Sequence, residues 1–380
     1  MSEIKVNSIK GVGAASAAIT INNSDGTVSA NLNNNVGNKN LIINGAMQVS
    51  QRGTSFTPSN STNTYTLDRF QAGNSHDGAY TVTQSTTAPD GFANSLKVDI
   101  TTADTSIGST QFAQILHKVE AQNLQHLAFG TSDAKNSVLS FYVRSNKTGN
   151  YAVAVLQHDN SSKQVTFQYT INSADTWERK SFLIPADTSG VINNDTGRGF
   201  DIHFGLAAGN TFTSGSTRSS FTTFADGDLL AGQGVNLLDS TSNEWYITGV
   251  QLELGSVMTD FDHRSAAQEL HLCKRYFQQQ GQQFWGVCEG TTKIALQVSL
   301  NPKMRASPTV TSKSGRTCAC RFGNSDKNVS SPTIGDTSVS PYGVWTRVTT
   351  SGLSGGAVAF GRNSVGDSDA QQFLFVDSEL

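Results

Sequence analysis

Charged side chains are scarce in this sequence, and the shortage narrows what the protein can do. Asp, Glu, Lys and Arg make up 15% of the 380 residues, whereas an average globular domain carries roughly 25%. The 27 basic and 30 acidic residues are spread along the chain, give a net charge of −3, and form no basic run. A surface that tracks the phosphates of a nucleic acid needs such a run. The sequence therefore gives no support for nucleic-acid binding.

Cysteines are also few, and all four lie in the last third of the chain. Only Cys318 and Cys320 are close together, as Cys-Ala-Cys, and on a strand they would share one face. A zinc site would need a second ligand pair at metal-site spacing, and the sequence has none. Buried or free thiols are therefore expected at Cys273, Cys288, Cys318 and Cys320, with no metal and no cofactor.

Long apolar runs are missing as well. No stretch of about 20 apolar residues is present, so no membrane-spanning helix is expected. Residues 11–21 look apolar, but they are rich in Gly, Ala and Ser, contain no Leu, and follow Glu3. A secretory signal has a basic start and a more apolar centre. We therefore predict neither membrane insertion nor export.

Polar uncharged residues and 35 glycines take the place of the missing charges. Short segments that alternate apolar and polar residues recur along the chain, with turn residues between them. Such spacing predicts an all-β protein built from two packed antiparallel sheets, a jelly roll or a similar β-sandwich. The clearest predicted strands cover residues 80–83, 96–100, 112–117, 138–143, 151–156, 165–171, 177–184 and 202–206.

Residues 245–278 change from a strand pattern to a helix pattern. The first ten, WYITGVQLEL, alternate as a half-buried strand does. Gly249 interrupts the alternation, which indicates a bulge or a close backbone neighbour. Farther on, Ser265 and Gln268 have the spacing of a capping box, and this predicts a helix over residues 265–278.

One face of that predicted helix is apolar. Leu270, Cys273 and Phe277 would lie on it together. An apolar stripe on a short helix needs a surface to cover it.

The pattern divides the chain into four parts. Residues 1–39 are short alternating pieces, too polar to bury a core alone, and they form either a disordered arm or a stalk that folds against partner chains. Residues 40–263 carry the sandwich, and residues 264–280 carry the bridging helix. The pattern over residues 281–380 predicts a smaller β-domain, with strand patterns at 293–300, 309–312, 345–348, 357–360 and 372–376.

Residue types needed for catalysis are present, but they are not grouped. A glycan hydrolase needs two carboxylates across the scissile bond, and the acids here are scattered, mostly in turn contexts. Asp260, Asp262 and His263 are the closest titratable cluster, and a capping or ion-pair role with Arg264 is favoured over a metal site. No Gly-x-Ser-x-Gly elbow and no phosphate-binding glycine loop occur. We therefore predict no catalytic residues and no enzymatic activity.

Aromatic side chains give the stronger indication of binding. An exposed Trp or Tyr ring beside polar groups is typical of sugar recognition. Trp177 and Trp245 lie within alternating segments, so core packing is expected for both. Trp345 stands near Tyr342 and Arg347 beside a turn, where exposure is favoured, although a single loop Trp is about as often a local anchor. Tyr342, Trp345 and Arg347 are our candidate receptor-binding residues, with the rings stacking and Arg347 hydrogen-bonding.

Three separated motifs carry a resemblance to a known family. They are NLIINGAMQVSQRG at residues 40–53, YTLDRF at 65–70 and WYITGVQLELGSVMTDFDHRSAAQELHLCKRYFQ at 245–278. In this order they resemble a widespread family of tail-fibre and appendage proteins of bacteriophages, especially marine ones. The segments MSEIKVNSI, MRASPTV and FVDSEL fit the same family more loosely. The segment WERKSFLIP at 177–185 also looks like a strand of carbohydrate-binding jelly-roll modules.

The resemblance implies a virion structural protein, assembled in the host cytoplasm as a homotrimer. Residues 1–39 would attach it to other virion or tail proteins, and the stripe of Leu270, Cys273 and Phe277 would lie near subunit contacts. The C-terminal domain would then reach a glycan or protein on the host surface. Two alternatives remain open. One is a structural fibre or capsid decoration without adhesive function, and the other is a polysaccharide depolymerase whose active site lies between subunits.

Overall fold

A computed structural model describes most of the chain between Ser8 and Leu380. The described residues are 8–9, 19–21, 28–30, 39–159, 161–280, 284–312, 317–322, 325–330, 333–349, 358–362 and 374–380. At the N-terminal side, three short strands form one antiparallel sheet: β1 (Ser8–Ile9), β2 (Ile19–Ile21) and β3 (Val28–Ala30). The predicted alternating piece at residues 4–6 lies outside the described residues.

The centre of the molecule is a sandwich of two antiparallel sheets. One has six strands, in the order β13 (Glu178–Ile184), β10 (Ser137–Ser145), β16 (Glu244–Leu254), β8 (Ser95–Thr102), β7 (Ala79–Ser85) and β4 (Ser55–Phe56). The other has seven, in the order β15 (Arg218–Thr223), β12 (Lys163–Ile171), β11 (Gly149–Gln157), β14 (Arg198–Ala208), β9 (Phe112–Glu120), β6 (Phe70–Ser75) and β5 (Thr64–Tyr65). The predicted all-β, jelly-roll-like sandwich is confirmed.

The core lies between these two sheets because alternate residues of each strand point inward. Leu139 and Phe141 of β10 meet Ile202 and Phe204 of β14 in one apolar cluster, and all four are fully buried. Each of the eight strands predicted from alternation corresponds to a strand of the sandwich. The connections contain short helical pieces: α1 (Asn210–Thr213) and 3₁₀ turns at Ala121–Leu127, Asp226–Asp228 and Leu237–Asp239.

Gly249 sits at a bulge, as predicted. The register of β10 with β16 shifts beside it, and its φ of 60° is one that a larger residue adopts with strain. A Cβ added at Gly249 would meet the side chains of Phe92 and Tyr142. The close backbone approach lies beside it, where the Val250 amide donates to the Gly45 carbonyl at 2.9 Å and a Cβ added at Gly45 would lie 2.1 Å from the Val250 oxygen. Gly45 therefore lets the two backbone segments touch.

The bridging helix begins as predicted but ends earlier. α2 covers Ala266–Lys274, and the Ser265 side chain and Gln268 form the complete capping box. Phe277 does not lie on this helix, because it begins strand β17 (Phe277–Gln280). The prediction of one helix over residues 265–278 was therefore wrong at its C-terminal end. Residues 275–276 make the turn, where the Tyr276 amide donates to Cys273 at 2.9 Å.

The C-terminal part contains two further antiparallel sheets. The smaller one has the order β17, β26 (Leu374–Asp377) and β20 (Thr309–Ser312). The larger one has the order β22 (Ser325–Ser330), β21 (Thr317–Phe322), β25 (Val358–Arg362), β18 (Phe284–Glu289), β19 (Lys293–Ser299), β24 (Gly343–Thr349) and β23 (Thr333–Ser340). Its small core includes Ile294, Leu296, Val344 and Val348.

A buried charged junction joins the sandwich to the end of the chain. The Arg69 guanidinium, 1% exposed, forms an ion pair with Glu379 and lies 3.6 Å from the centre of the Tyr276 ring. Glu120, fully buried, accepts two hydrogen bonds from Arg275 at 2.6 and 3.0 Å and one from the Tyr276 hydroxyl at 2.7 Å. Arg69, Arg275 and Tyr276 belong to the motifs at 65–70 and 245–278, Glu379 belongs to the more loosely fitting segment FVDSEL, and Glu120 lies outside them in β9. The junction therefore ties two of the motifs to the sandwich and to the last strand of the small sheet.

Candidate functional site

The candidate residues Trp345 and Arg347 lie on one face of β24. Burial alternates along this strand, because Val344, Thr346 and Val348 point into the core while Trp345 and Arg347 point away from it. The neighbouring strands β19 and β23 pair with β24 on its two sides. This places the half-exposed Trp345 ring between polar residues of both neighbours.

Two adjoining open depressions meet at Trp345. The first, of about 330 Å³, takes its polar wall from Gln297, Ser299, Ser338 and Ser340. The second, of about 470 Å³, lies on the β18 side, and Gly286, Val287 and Ala295 line it. Gln297 pairs directly with Trp345 across the strands and lines both depressions. An aromatic ring with amide and hydroxyl groups around it suits a sugar ring, which offers both C–H faces and hydroxyls.

Tyr342 lies at the turn before β24 and lines the first depression. Its side chain is 64% exposed, and the Lys303 ammonium lies 4.9 Å from the centre of its ring. The turn itself is fixed, because the Leu300 amide donates to the Tyr342 carbonyl at 2.9 Å and the Met304 amide to Pro341 at 2.8 Å. The exposure expected for Tyr342 is found, on a rigid backbone.

The Arg347 side chain contacts two side chains of the same domain, those of Glu289 and Trp345. Its Nε donates to Glu289 at 2.6 Å, and its guanidinium lies 4.8 Å from the centre of the Trp345 ring. Glu289 holds the Arg347 guanidinium, which lies against one side of the Trp345 ring. Sequence reasoning missed Glu289, Gln297 and Lys303, because they lie on other segments of the chain. Gln297 meets Trp345 through strand pairing, Glu289 meets Arg347, and Lys303 reaches Tyr342 from the loop after β19.

The candidates Leu270, Cys273 and Phe277 lie at the junction, away from the Trp345 face. Cys273 is fully buried and Phe277 is 1% exposed, both within one chain. Leu270 and Cys273 pack with Ile43 and Val49 of the sandwich, so no partner chain is needed to cover the stripe. The exposed side of α2 instead carries Ala267 and His271, which line a depression of about 340 Å³. The predicted place of Leu270, Cys273 and Phe277 at subunit contacts stays a prediction.

The titratable cluster at residues 260–263 is dispersed in the structure. The Asp262 carboxylate accepts from the Asn40 amide, and the Asp260 side chain is fully exposed. Arg264 pairs with Glu269, so the expected ion pair of Arg264 with these aspartates was wrong. Among the described residues, no group of three or more His, Cys, Asp or Glu side chains could hold a metal. The side chains of Cys318 and Cys320 lie outside that description.

The two tryptophans expected in the core differ. Trp245 is fully buried between the sheets, as predicted. Trp177 precedes β13 at the surface, half-exposed, with its ring 6.1 Å from that of Tyr246. Core packing was therefore the wrong expectation for Trp177. Within the part of the chain that the structure describes, no helix is long and apolar enough to span a membrane.

Comparison with known proteins gives likenesses to parts of the fold. No protein-family model matches the sequence, and no curated protein does. The enzymatically active domain of tailspike protein 4 from bacteriophage CBA120 is similar over 57% of this chain, with 10% identity and a TM-score of 0.29. This chain spans 22% of that tailspike chain.

Two carbohydrate-binding modules show a similar degree of likeness. The module CBM4 is similar over 56% of this chain and 99% of its own, with 15% identity and a TM-score of 0.28. A family 11 carbohydrate-binding module from Clostridium thermocellum is similar over 55% of this chain and 98% of its own, with 10% identity and a TM-score of 0.27. At these scores the likenesses do not bear on function.

Proposed function

We propose that this protein is a bacteriophage virion appendage that adheres to a host-surface glycan through the face around Trp345, without catalysis. The three family motifs support the virion role. One observation carries the adhesive role: a half-exposed Trp between two open depressions on one face of the sheet, the first walled by Gln297 and serines and the second mainly by small apolar residues. A folded domain has no structural need for such a face, because the core of this domain lies on the other side of β24.

Each residue of the face has a role in the proposed contact. The Trp345 and Tyr342 rings supply rigid apolar area for the C–H face of a sugar, at little cost in side-chain entropy. Gln297 and the serines beside it hydrogen-bond the sugar hydroxyls. Arg347, tied to Glu289, positions the Trp345 ring.

Particles carrying both Tyr342→Ala and Trp345→Ala are expected to adsorb to host cells about 5 to 150 times more weakly, which corresponds to about 1 to 3 kcal/mol. The reason is that both rings are contact surface and neither lies in the core. Adsorption constants and the melting temperature of the purified chain are the measurements. The melting temperature should stay unchanged.

Val257→Ala serves as a matched control, because Val257 is 77% exposed on the sandwich and far along the chain from this face. Unchanged adsorption by the double variant, or a loss accompanied by unfolding, would contradict the proposal. Unchanged adsorption by the double variant would favour the alternative of a structural fibre or capsid decoration without adhesive function. Release of reducing ends from host envelope glycan would favour the depolymerase.

We propose that residues 1–39 attach the protein to the particle and that the protein assembles as a homotrimer. Deleting residues 1–39 is expected to leave the sandwich folded, because among the described residues its core begins at Ile42, with the half-buried Leu41 packed beside it. The deleted chain should be missing from purified particles.

Light scattering of the full chain should give three times the 40.5 kDa chain mass. Normal incorporation of the deleted chain, or a stable monomer of the full chain, would refute the respective assignment.

A further inference from the structure

A second pocket lies at the open edge of the sandwich, on the side where β12 and β13 come together. These strands belong to different sheets, and their inward-facing rings Phe167 and Phe182 stack across the gap. The ring centres are 5.0 Å apart and the planes are inclined by 22°. Both rings are half-exposed. They therefore give the edge of the sandwich an aromatic surface that reaches solvent.

The pocket exists because strand β15 bends away from β12. Gln164 pairs with Thr222 and Thr166 with Arg218, so the three residues 219–221 of β15 stand opposite Val165 alone. Phe221 turns from this bulge toward the core, where it contacts the rings of Phe129 and Phe200. Past Thr166, the described part of β12 pairs with β11 and with no strand on its other side. The space left open is about 410 Å³.

The lining of this pocket is aromatic and polar but uncharged. Beside the two rings it consists of Thr166, Gln168, Thr217 and Ser219. Arg218 lies between the last two but is held elsewhere, because its Nε donates to Asp228 at 2.8 Å. The Gln168 amide nitrogen donates to the Gly232 carbonyl at 2.9 Å, which leaves its carbonyl oxygen to accept from a ligand.

The polar groups that a ligand can reach belong to Gln168 and Ser219, which are both exposed and line the pocket. Thr166 also lines it, but the residue is 1% exposed and its hydroxyl is closed off from solvent, so it forms part of the wall. A ligand with hydroxyl groups would hydrogen-bond Gln168 and Ser219, whereas an apolar ligand would take both out of water without a partner.

We propose that this pocket binds a neutral pyranose unit of a glycan, as a second sugar site independent of the Trp345 face. The Phe167 and Phe182 rings contact the C–H groups of the sugar, and Gln168 and Ser219 hydrogen-bond its hydroxyls. A volume of about 410 Å³ falls within the usual size of small-ligand pockets. An acidic sugar is disfavoured, because no cationic side chain lines the pocket to pair with a carboxylate.

The test uses the full chain carrying Tyr342→Ala and Trp345→Ala, so that failure of the Trp345 face cannot hide or imitate the second site. Calorimetric titration with cellohexaose, xylohexaose and mannohexaose should give saturable binding of at least one. Adding Ser219→Trp, which fills the pocket from an exposed position, should weaken that binding at least tenfold.

Ser220→Trp is the matched control, because Ser220 is the exposed neighbour of Ser219 and does not line the pocket. It should leave the affinity unchanged. If Ser219→Trp lowers the melting temperature, Gln168→Ala replaces it with the same expectation. Absence of saturable binding to all three neutral hexasaccharides would overturn the proposal. So would equal affinity for trigalacturonate, or binding that survives the pocket-filling change.

Discussion

A protein with Glu379→Ala is expected to lose about 3 to 5 kcal/mol of unfolding free energy. Glu379 is 4% exposed and pairs with Arg69, which is 1% exposed. Burial raises the pKa of the Glu379 carboxyl, while Arg69 and Arg52 favour its charged form. Removing the carboxylate leaves the Arg69 charge buried without its anion. Urea unfolding of the two proteins at neutral pH measures the difference.

The surface ion pair of Arg347 with Glu289 provides the comparison. Its carboxylate side chain is 38% exposed, so Glu289→Ala should cost less than about 1 kcal/mol. Replacing both buried partners, as Arg69→Met with Glu379→Leu, should recover much of the stability that the single change removes. A loss below 1 kcal/mol for Glu379→Ala would mean that the buried ion pair of Arg69 with Glu379 does not stabilise the junction.

The stability of the protein is expected to fall by about 2 kcal/mol between pH 6.5 and 4.5 through His117 alone. Burial, assisted by the charge of Arg69, lowers the pKa of His117 from 6.5 to about 3. In this pH window the unfolded chain takes up a proton at His117 and the folded protein does not. The stability that this histidine contributes is therefore complete above pH 6.5 and is lost as the pH falls toward 3.

His117→Gln isolates this effect, because an amide can still donate to the Ile43 carbonyl, which lies 3.1 Å from the ring nitrogen of His117. The unfolding free energies of the two proteins, measured across pH 4.5 to 7, should diverge by about 1.4 kcal/mol per pH unit below about pH 6 and by less above it. Comparing two proteins is necessary because the raised pKa of Glu379 acts in the opposite direction over part of the window. Parallel profiles would show that His117 is protonated in the folded state.

The strands could be predicted because alternation is a local signal. The segments at 138–143 and 202–206 alternate over a few residues, and each lies in a strand of the sandwich. The helix start was equally local, through Ser265 and Gln268. Its end was not, because a helical spacing cannot distinguish Phe277 on a helix from Phe277 on a strand that pairs with residues 374–377.

The functional surfaces were only partly predictable for a related reason. Residues two positions apart on a strand lie on the same face, so Trp345 and Arg347 could be grouped from the sequence. Glu289 could not be added, because 58 residues separate it from Arg347. The Phe167 and Phe182 pocket was missed entirely, since its rings come from different sheets and each alone is a typical core residue of an alternating strand.

The route of the chain through the small sheet makes the C-terminal domain an insertion. Strand β17 leaves the junction and β26 returns to it directly alongside, with Phe277 paired to Asp377. A segment whose ends are neighbours can be replaced by another without moving the chain on either side. Exchange of the segment between β17 and β26 for another domain should therefore leave the junction and the sandwich in place.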